Sequence, residues 1–286
     1  MLAVGDIHFE NYGTWRDADG RLVWGVNDFD EAAEMPYALD LVRLAASAHL
    51  GRGRHPITDE AIAGAILLGY RQGLTNPSPI VLDRDRQWLR DLVEVSEKAR
   101  SKFWKKVSGA RTQRAPQRFA MALDAGMPEP GLEVRTAIRT AGSGSLGRPR
   151  WMGVAEWRGA SVVREAKALV SPAWALAHKG SRREIRYDQI ATGRFRPLDP
   201  WHRVNAGILV RRLSPNNRKL EVDDGAVAFS TDVLQLMGFD LANVHLGSAS
   251  SDQLADDLRK RKRGWLADTS RRAADAVSND YREWKG

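Results

Sequence analysis

Apolar positions change their spacing several times along the chain. The first runs, Leu2-Ala3-Val4 and Leu22-Val23-Trp24-Gly25-Val26, read as short strands, and Asp17-Ala18-Asp19-Gly20 between them supplies turn chemistry. The opening stretch is therefore expected to run loop, hairpin, loop. From Leu39 to Leu50 the period becomes helical (Leu39, Val42, Ala45, Ala46, His49), with Pro36 and Gly51 as stops. Thr58-Asp59-Glu60 opens a second helix whose acidic first turn suits the helix dipole; it buries Ile62, Ala65, Ile66 and Tyr70 and ends near Gly73. After the break Asn76-Pro77-Ser78-Pro79 a third helix is expected from Arg84 to Val107.

At Gly131 the pattern turns to a period of two. Glu133 to Ile138 alternates, and Trp151–Trp157 and Ala160–Ala166 are strand candidates about a turn at Arg158-Gly159. Before them lies Gly142-Ser143-Gly144-Ser145-Leu146-Gly147, a glycine-rich turn between antiparallel strands. A helix is expected from Arg182 to Thr192. Ala206–Val210 and Lys219–Val222 are expected to form a hairpin about Ser214-Pro215-Asn216-Asn217. Helices over Asp232–Leu246 and from Ser251 to Trp284, the latter broken near Gly264, close the chain. The fold class is α+β.

The first hairpin gathers Asp6, Asn11 and Asp28 at one end. Two carboxylates and an amide there are hard oxygen ligands suited to Mg²⁺, which is usually held by one or two carboxylates plus substrate phosphates. An Asp followed five residues later by an Asn, then by Asp-Phe-Asp after a hairpin, is the spacing of the catalytic segment of protein-kinase-like phosphotransferases. Gly5-Asp6-Ile7-His8-Phe9-Glu10-Asn11 and Pro36-Tyr37-Ala38-Leu39-Asp40-Leu41 resemble the aminoglycoside and choline kinase branch. Taken whole, the chain resembles the bacterial family called domain of unknown function 2252. The likeness rests on Gly5 to Gly13, on Asn27-Asp28-Phe29-Asp30-Glu31 and on Asp40-Leu41-Val42-Arg43-Leu44, and it runs more weakly to the C-terminus. That family name carries no established reaction.

The resemblance implies a kinase-like fold of two lobes in circularly permuted order, with the glycine loop and lysine after the Asp-Asn-Asp segment instead of before it. Residues 1–130 would form a helical lobe with the metal loop, 131–225 a small antiparallel β lobe that binds nucleotide, and 226–286 helices returning to the helical lobe. The Asp232–Leu246 helix would then end near Met1. It also implies roles. Asp6 would accept the proton of an attacking hydroxyl, with His8 orienting it or the loop, and Asn11 and Asp28 would hold Mg²⁺. Asp30 would take a second metal or cap a helix. Gly142, Gly144 and Gly147 would cover the phosphates of ATP. Lys167 would pair with them, or Arg164 on the opposite strand face, and Glu184 would steady the lysine. Asp40 reads as structural. Members of the family carry more chain upstream, so a shortened start is expected.

Composition narrows the partners. The 286 residues include no cysteine, which excludes disulfides and thiolate metal sites, and neither a membrane span nor a signal peptide is visible, so a cytoplasmic protein is expected. A net charge of +8 favours anionic partners such as nucleotides, phosphorylated substrates or nucleic acid; a nucleotide and a hydroxyl-bearing substrate of unknown identity are what the resemblance implies. Between Lys98 and Arg118 stand eight basic residues and no acidic one, and Arg259 to Arg263 is a second basic run. Without interleaved exposed aromatics these read as solvated helix faces rather than a nucleic-acid groove. Val4-Gly5-Asp6-Ile7-His8 also looks like the opening of a metallophosphoesterase. The partner motifs of that class are missing, and His49, His55, His178, His202 and His245 form none of them. A kinase-like module that binds without turnover, and nucleotidyl transfer on the same ligands, remain alternatives.

Overall fold

The structure is a computed structural model that describes residues 1–139, 149–178, 184–221 and 228–286. The order of elements is β1 (Leu2–Ala3), a 3-10 turn (Phe9–Asn11), β2 (Tyr12–Arg16), β3 (Leu22–Val26), β4 (Ala33–Glu34), α1 (Tyr37–Gly51), α2 (Asp59–Thr75), β5 (Ile80–Val81), α3 (Gln87–Leu92), α4 (Glu97–Ser108), α5 (Gln117–Ala125), β6 (Arg135–Ile138), β7 (Arg150–Trp157), β8 (Ala160–Ala168), α6 (Ala173–Ala177), α7 (Tyr187–Ala191), β9 (Arg203–Asn205), β10 (Ile208–Leu213), α8 (Thr231–His245), α9 (Ser251–Lys260) and α10 (Trp265–Lys285). Helices and antiparallel sheets make it an α+β protein.

The helical core is centred on α2 and α8, joined by α1 and α10. Small residues set the spacing. A Cβ on Gly69 would lie 1.7 Å from the carbonyl oxygen of Gln235, and one on Gly238 2.0 Å from that of Ile66. Those are backbone atoms, so no side-chain rotation relieves the clash. Gly69→Ala is expected to push the two helices apart and destabilise the fold by about 3 kcal/mol, the upper end for overpacking. Urea unfolding of the purified variant measures it.

The second layer is a five-stranded antiparallel sheet in the order β6-β7-β8-β10-β9. Its two faces are covered differently. Trp151, Ala166, Ile208 and Val210 pack against Phe119 and Leu123 of α5. On the other face Met152, Val154 and Val163 pack against Val107 and Phe103 of α4. Both α4 and α5 lie within residues 1–130, yet they belong with the sheet.

Several expectations change here. The third helix is two, α3 and α4, because the Ser96 hydroxyl accepts from Ala99 N–H and starts a new helix. The hairpin about Ser214-Pro215-Asn216-Asn217 does not form. Strand β10 turns back onto β9 through Ala206 and Gly207, both at positive φ as a two-residue hairpin turn requires. Lys219 instead makes a bridge to Gly13 of β2. Of the helix expected over 182–192, the described residues form helix only over Tyr187–Ala191. Helix α8 does end beside the start of the chain, where Leu2 N–H donates to Ser248 Oγ at 3.0 Å. Among the described residues no helix is long and apolar enough to cross a membrane.

Candidate functional site

The loop between β1 and the 3-10 turn is held from below by a buried polar chain. Val4 and Gly5 N–H donate to the two carboxylate oxygens of Asp40 on α1, at 2.6 and 3.0 Å. His245 Nε2 lies 3.0 Å from the same carboxylate, and Tyr70 O–H lies 2.8 Å from His245 Nδ1. This network assigns the proton to Nε2, with Tyr70 as donor to Nδ1. Burial first, with Tyr37 and Asp40 adding, pushes the Tyr70 hydroxyl well above its ordinary pKa, which keeps it a donor. Asp40 thus bonds the loop backbone and positions Asp6 one residue further on.

Asp6 points outward. Its side chain is 64% exposed and 3.3 Å from Arg43. Desolvation by the surrounding protein raises its pKa against the pull of His8 and Arg43, but with that exposure the carboxylate remains an accessible anion. Asn11 Nδ2 donates to the Asp6 carbonyl at 2.8 Å, so its own Oδ1 is the atom left to accept or ligate. His8 makes no side-chain hydrogen bond among the described residues, and burial lowers its pKa.

The hairpin β2-β3 carries Asn11 and Asp28 to the same end. Asn27 N–H donates to Asn11 C=O at 2.9 Å, and Asp28 follows directly. Across from them stands the sheet. Lys167 of β8 is buried, its ammonium in contact with Asp30 and 3.6 Å from Asp28. Arg164 is buried on the other face, donating to Gly126 C=O at 2.8 Å and lying over the Trp201 ring. Of the two cations, Lys167 is the one brought to the carboxylates. Burial would raise the Asp28 pKa, yet Lys167, Arg211, Lys219 and Arg150 outweigh it and hold it below its usual value. Burial lowers the Lys167 ammonium to about 8, with Asp28 opposing. The pair is sound as an ion pair: the ionised carboxylate is the dominant feature, and the ammonium is weakened by lost water and by neighbouring cations.

Glu184 is not brought to Lys167. It is exposed and pairs with Arg186 at 2.8 Å, because its expected helix starts only at Tyr187. Gly142, Gly144 and Gly147 lie outside the described residues.

A charged cluster invisible to motif reading sits beside Lys167 on the same sheet face. Glu165 is fully buried and accepts from Arg211 Nε at 2.7 Å, from Arg150 at 3.4 Å and from Arg139. Burial would raise its pKa, but Arg211, Arg139 and Arg150 bring it down to about 2. Strand alternation from Lys167 would have found Glu165 and register its partners, had the pairing been known. Next to this cluster a cavity of about 260 Å³ opens between the first hairpin and β10, lined among others by Trp15, Asn27, Phe29, Arg139, Arg211 and Lys219.

The donor set suits a hard cation. Asn11 Oδ1 and the Asp28 carboxylate are oxygens at one hairpin end, with Asp30 alongside, and Mg²⁺ typically takes few protein ligands and completes its shell with water and phosphate. Among the described residues no three His, Cys, Asp or Glu side chains are grouped to hold a metal by themselves. A cation here would therefore depend on the Asn11 amide and on a ligand's own oxygens.

Comparison with known proteins gave no match among curated proteins and none among solved structures. Residues 1–130, the segment that carries Asp6, Asn11, Asp28 and Asp40, match the family described as uncharacterized protein conserved in bacteria (DUF2252).

Proposed function

We propose that the chain is a Mg²⁺- and ATP-dependent phosphotransferase acting on a hydroxyl-bearing substrate, with a kinase-like arrangement of lobes in permuted order. The observation that carries this reading is the convergence of Lys167, from the middle of the chain, on Asp28 and Asp30 near its start, beside Asn11 and Asp6.

In this reading Asn11 and Asp28 hold the cation, which supplies charge neutralisation at the phosphate oxygens. Lys167 gives up part of its contact with the carboxylates and binds phosphate. Asp6, open to solvent and fixed through Asp40 and Asn11, orients the substrate hydroxyl and accepts its proton. The hydroxyl oxygen forms the new bond to the γ-phosphorus, the bond from that phosphorus to the β–γ bridging oxygen breaks, and ADP leaves with that electron pair. Positioning and electrostatics do the work. A second reading, a kinase-like module that binds nucleotide without turnover, is favoured by the contact of Lys167 with Asp30, which occupies the lysine.

Thermal melts with ATP, with and without Mg²⁺, test the first part. ATP at about 100 times its dissociation constant is expected to add roughly 2.7 kcal/mol of stability, and only with the metal present. Release or transfer of the γ-phosphate in the same samples separates turnover from binding. An identical melt with and without Mg²⁺ and ATP would remove the reading.

A further inference from the structure

Among the described residues, several cations around the cavity share one acid or pair with none. Arg196 is engaged by Asp240 and Arg212 by Asp199. Arg139, Arg150 and Arg211 share the single carboxylate of Glu165. Lys219 lines the cavity and makes no ion pair among the described residues; desolvation and then Arg211 lower its pKa, against the pull of Asp28 and Glu165. Among the described residues, one wall of a concave site next to Asp28 therefore carries more cations than acids.

Lys219 is placed there by backbone. Leu220 N–H donates to Tyr12 C=O at 2.9 Å, and Thr14 N–H donates to Arg218 C=O at 2.8 Å, which zips residues 218–220 onto β2. The glycine at position 13 allows it: a Cβ there would lie 2.7 Å from Arg218 C=O and 3.3 Å from Lys219 Cα. Gly13 stands in the hallmark run that begins at Gly5, and this close approach accounts for it. The segment thus presents Lys219 to the site from the side of β2, whereas Lys167 reaches Asp28 and Asp30 from β8. Surplus cations in a concave site, some of them held rigidly by Glu165, form a cradle for an anion carrying several charges.

We infer that Lys219, with Arg139 and Arg211, forms an anion subsite that takes the polyphosphate chain of a nucleotide, opposite Lys167. The inference rests on the proposed phosphotransferase reading for the identity of the ligand, but its chemistry can be probed without nucleoside or metal. Isothermal titration with inorganic tripolyphosphate, in the absence of Mg²⁺, is the direct test. Wild type is expected to bind it, less tightly as salt rises. Lys219→Gln is expected to weaken binding about tenfold with an unchanged melting temperature, and Lys219→Arg to restore most of it. Lys98→Gln, on the exposed face of α4, controls for general attraction to a basic protein and is expected to bind as wild type.

No tripolyphosphate binding by wild type, wild-type binding by Lys219→Gln, or an equal loss in Lys98→Gln would each overturn the subsite. If tripolyphosphate binding is lost only in Lys219→Gln while Mg-ATP fails to stabilise wild type, the subsite stands and the phosphotransferase reading falls. Mg-ATP stabilisation without any effect of Lys219 does the reverse.

Discussion

Truncating Glu165 to alanine is expected to cost about 3–5 kcal/mol of folding stability, the range for removing one partner of a buried ion pair. The reason is local. Arg139, Arg150 and Arg211 converge on this one carboxylate, and Arg211 sits across from it in the β8–β10 register. Without it three guanidiniums remain close together on a half-closed sheet face. Glu165→Gln keeps the shape and isolates the charge, and the pH dependence then follows. The folded carboxyl sits at about 2 against an ordinary 4.5, a depressed acid, so its contribution is present above pH 4.5 and is lost as pH falls towards 2. The shift corresponds to about 3 kcal/mol. Urea unfolding is therefore expected to show a wide gap between wild type and Glu165→Gln at pH 7 that closes progressively below pH 4.5. A gap independent of pH would place the stability elsewhere.

This cluster also shows where sequence reading stops. The strand β8 was legible from its alternation, and so was the choice it poses between residues 164 and 167, since they must face opposite ways. What alternation does not show is which face meets water, which meets a helix and which meets another set of charges. Arg164, Glu165 and Lys167 are all buried, each satisfied by a partner far along the chain: Gly126, three arginines, and Asp28 with Asp30. Charges normally mark surface, so burial of a run of them is set by tertiary pairing and leaves no local trace.

The helices were the most legible part. Their caps carry the information: Thr58 accepts from Ala61 N–H, Ser230 from Val233 N–H, and Gly264 begins α10 in a left-handed conformation. The hairpin expected after β10 did not form. Pro215-Asn216-Asn217 carries stronger turn signals than Ala206-Gly207, but a turn signal gives a bend and not its partners, and β2 captured the following residues through Gly13. Helix α5 has a short apolar face, and its role appears only once Trp151 and Val210 supply the surface it covers. Within the candidate site, the grouping of Asp6, Asn11 and Asp28 could be proposed from sequence because their spacing is local to one hairpin. Lys219 was not, because it enters through a single bridge more than two hundred residues from its partner.

Asp28→Asn is expected to lower kcat of the proposed phosphotransfer by about a thousandfold, the scale for removing one charge aimed at the reacting phosphate. The fold should survive it. Asp28 is the more open of the two carboxylates on Lys167, and Asp30 retains its contact with the ammonium. A stability change under about 1 kcal/mol is therefore expected, in line with a pair that is only partly desolvated. The contrast between the two readouts gives the experiment its force. Loss of turnover together with a near wild-type melt and loss of the Mg²⁺-dependent ATP shift assigns Asp28 to the metal. Tripolyphosphate binding without Mg²⁺ should then be kept or strengthened, because one negative charge facing Lys219 and Lys167 has gone while the surplus of cations stays. If Asp28→Asn instead keeps its turnover, Asn11 and Asp28 do not hold a catalytic ion. If it unfolds while Lys167→Met does not, the pair is a structural clasp between hairpin and sheet, and the site has to be sought elsewhere.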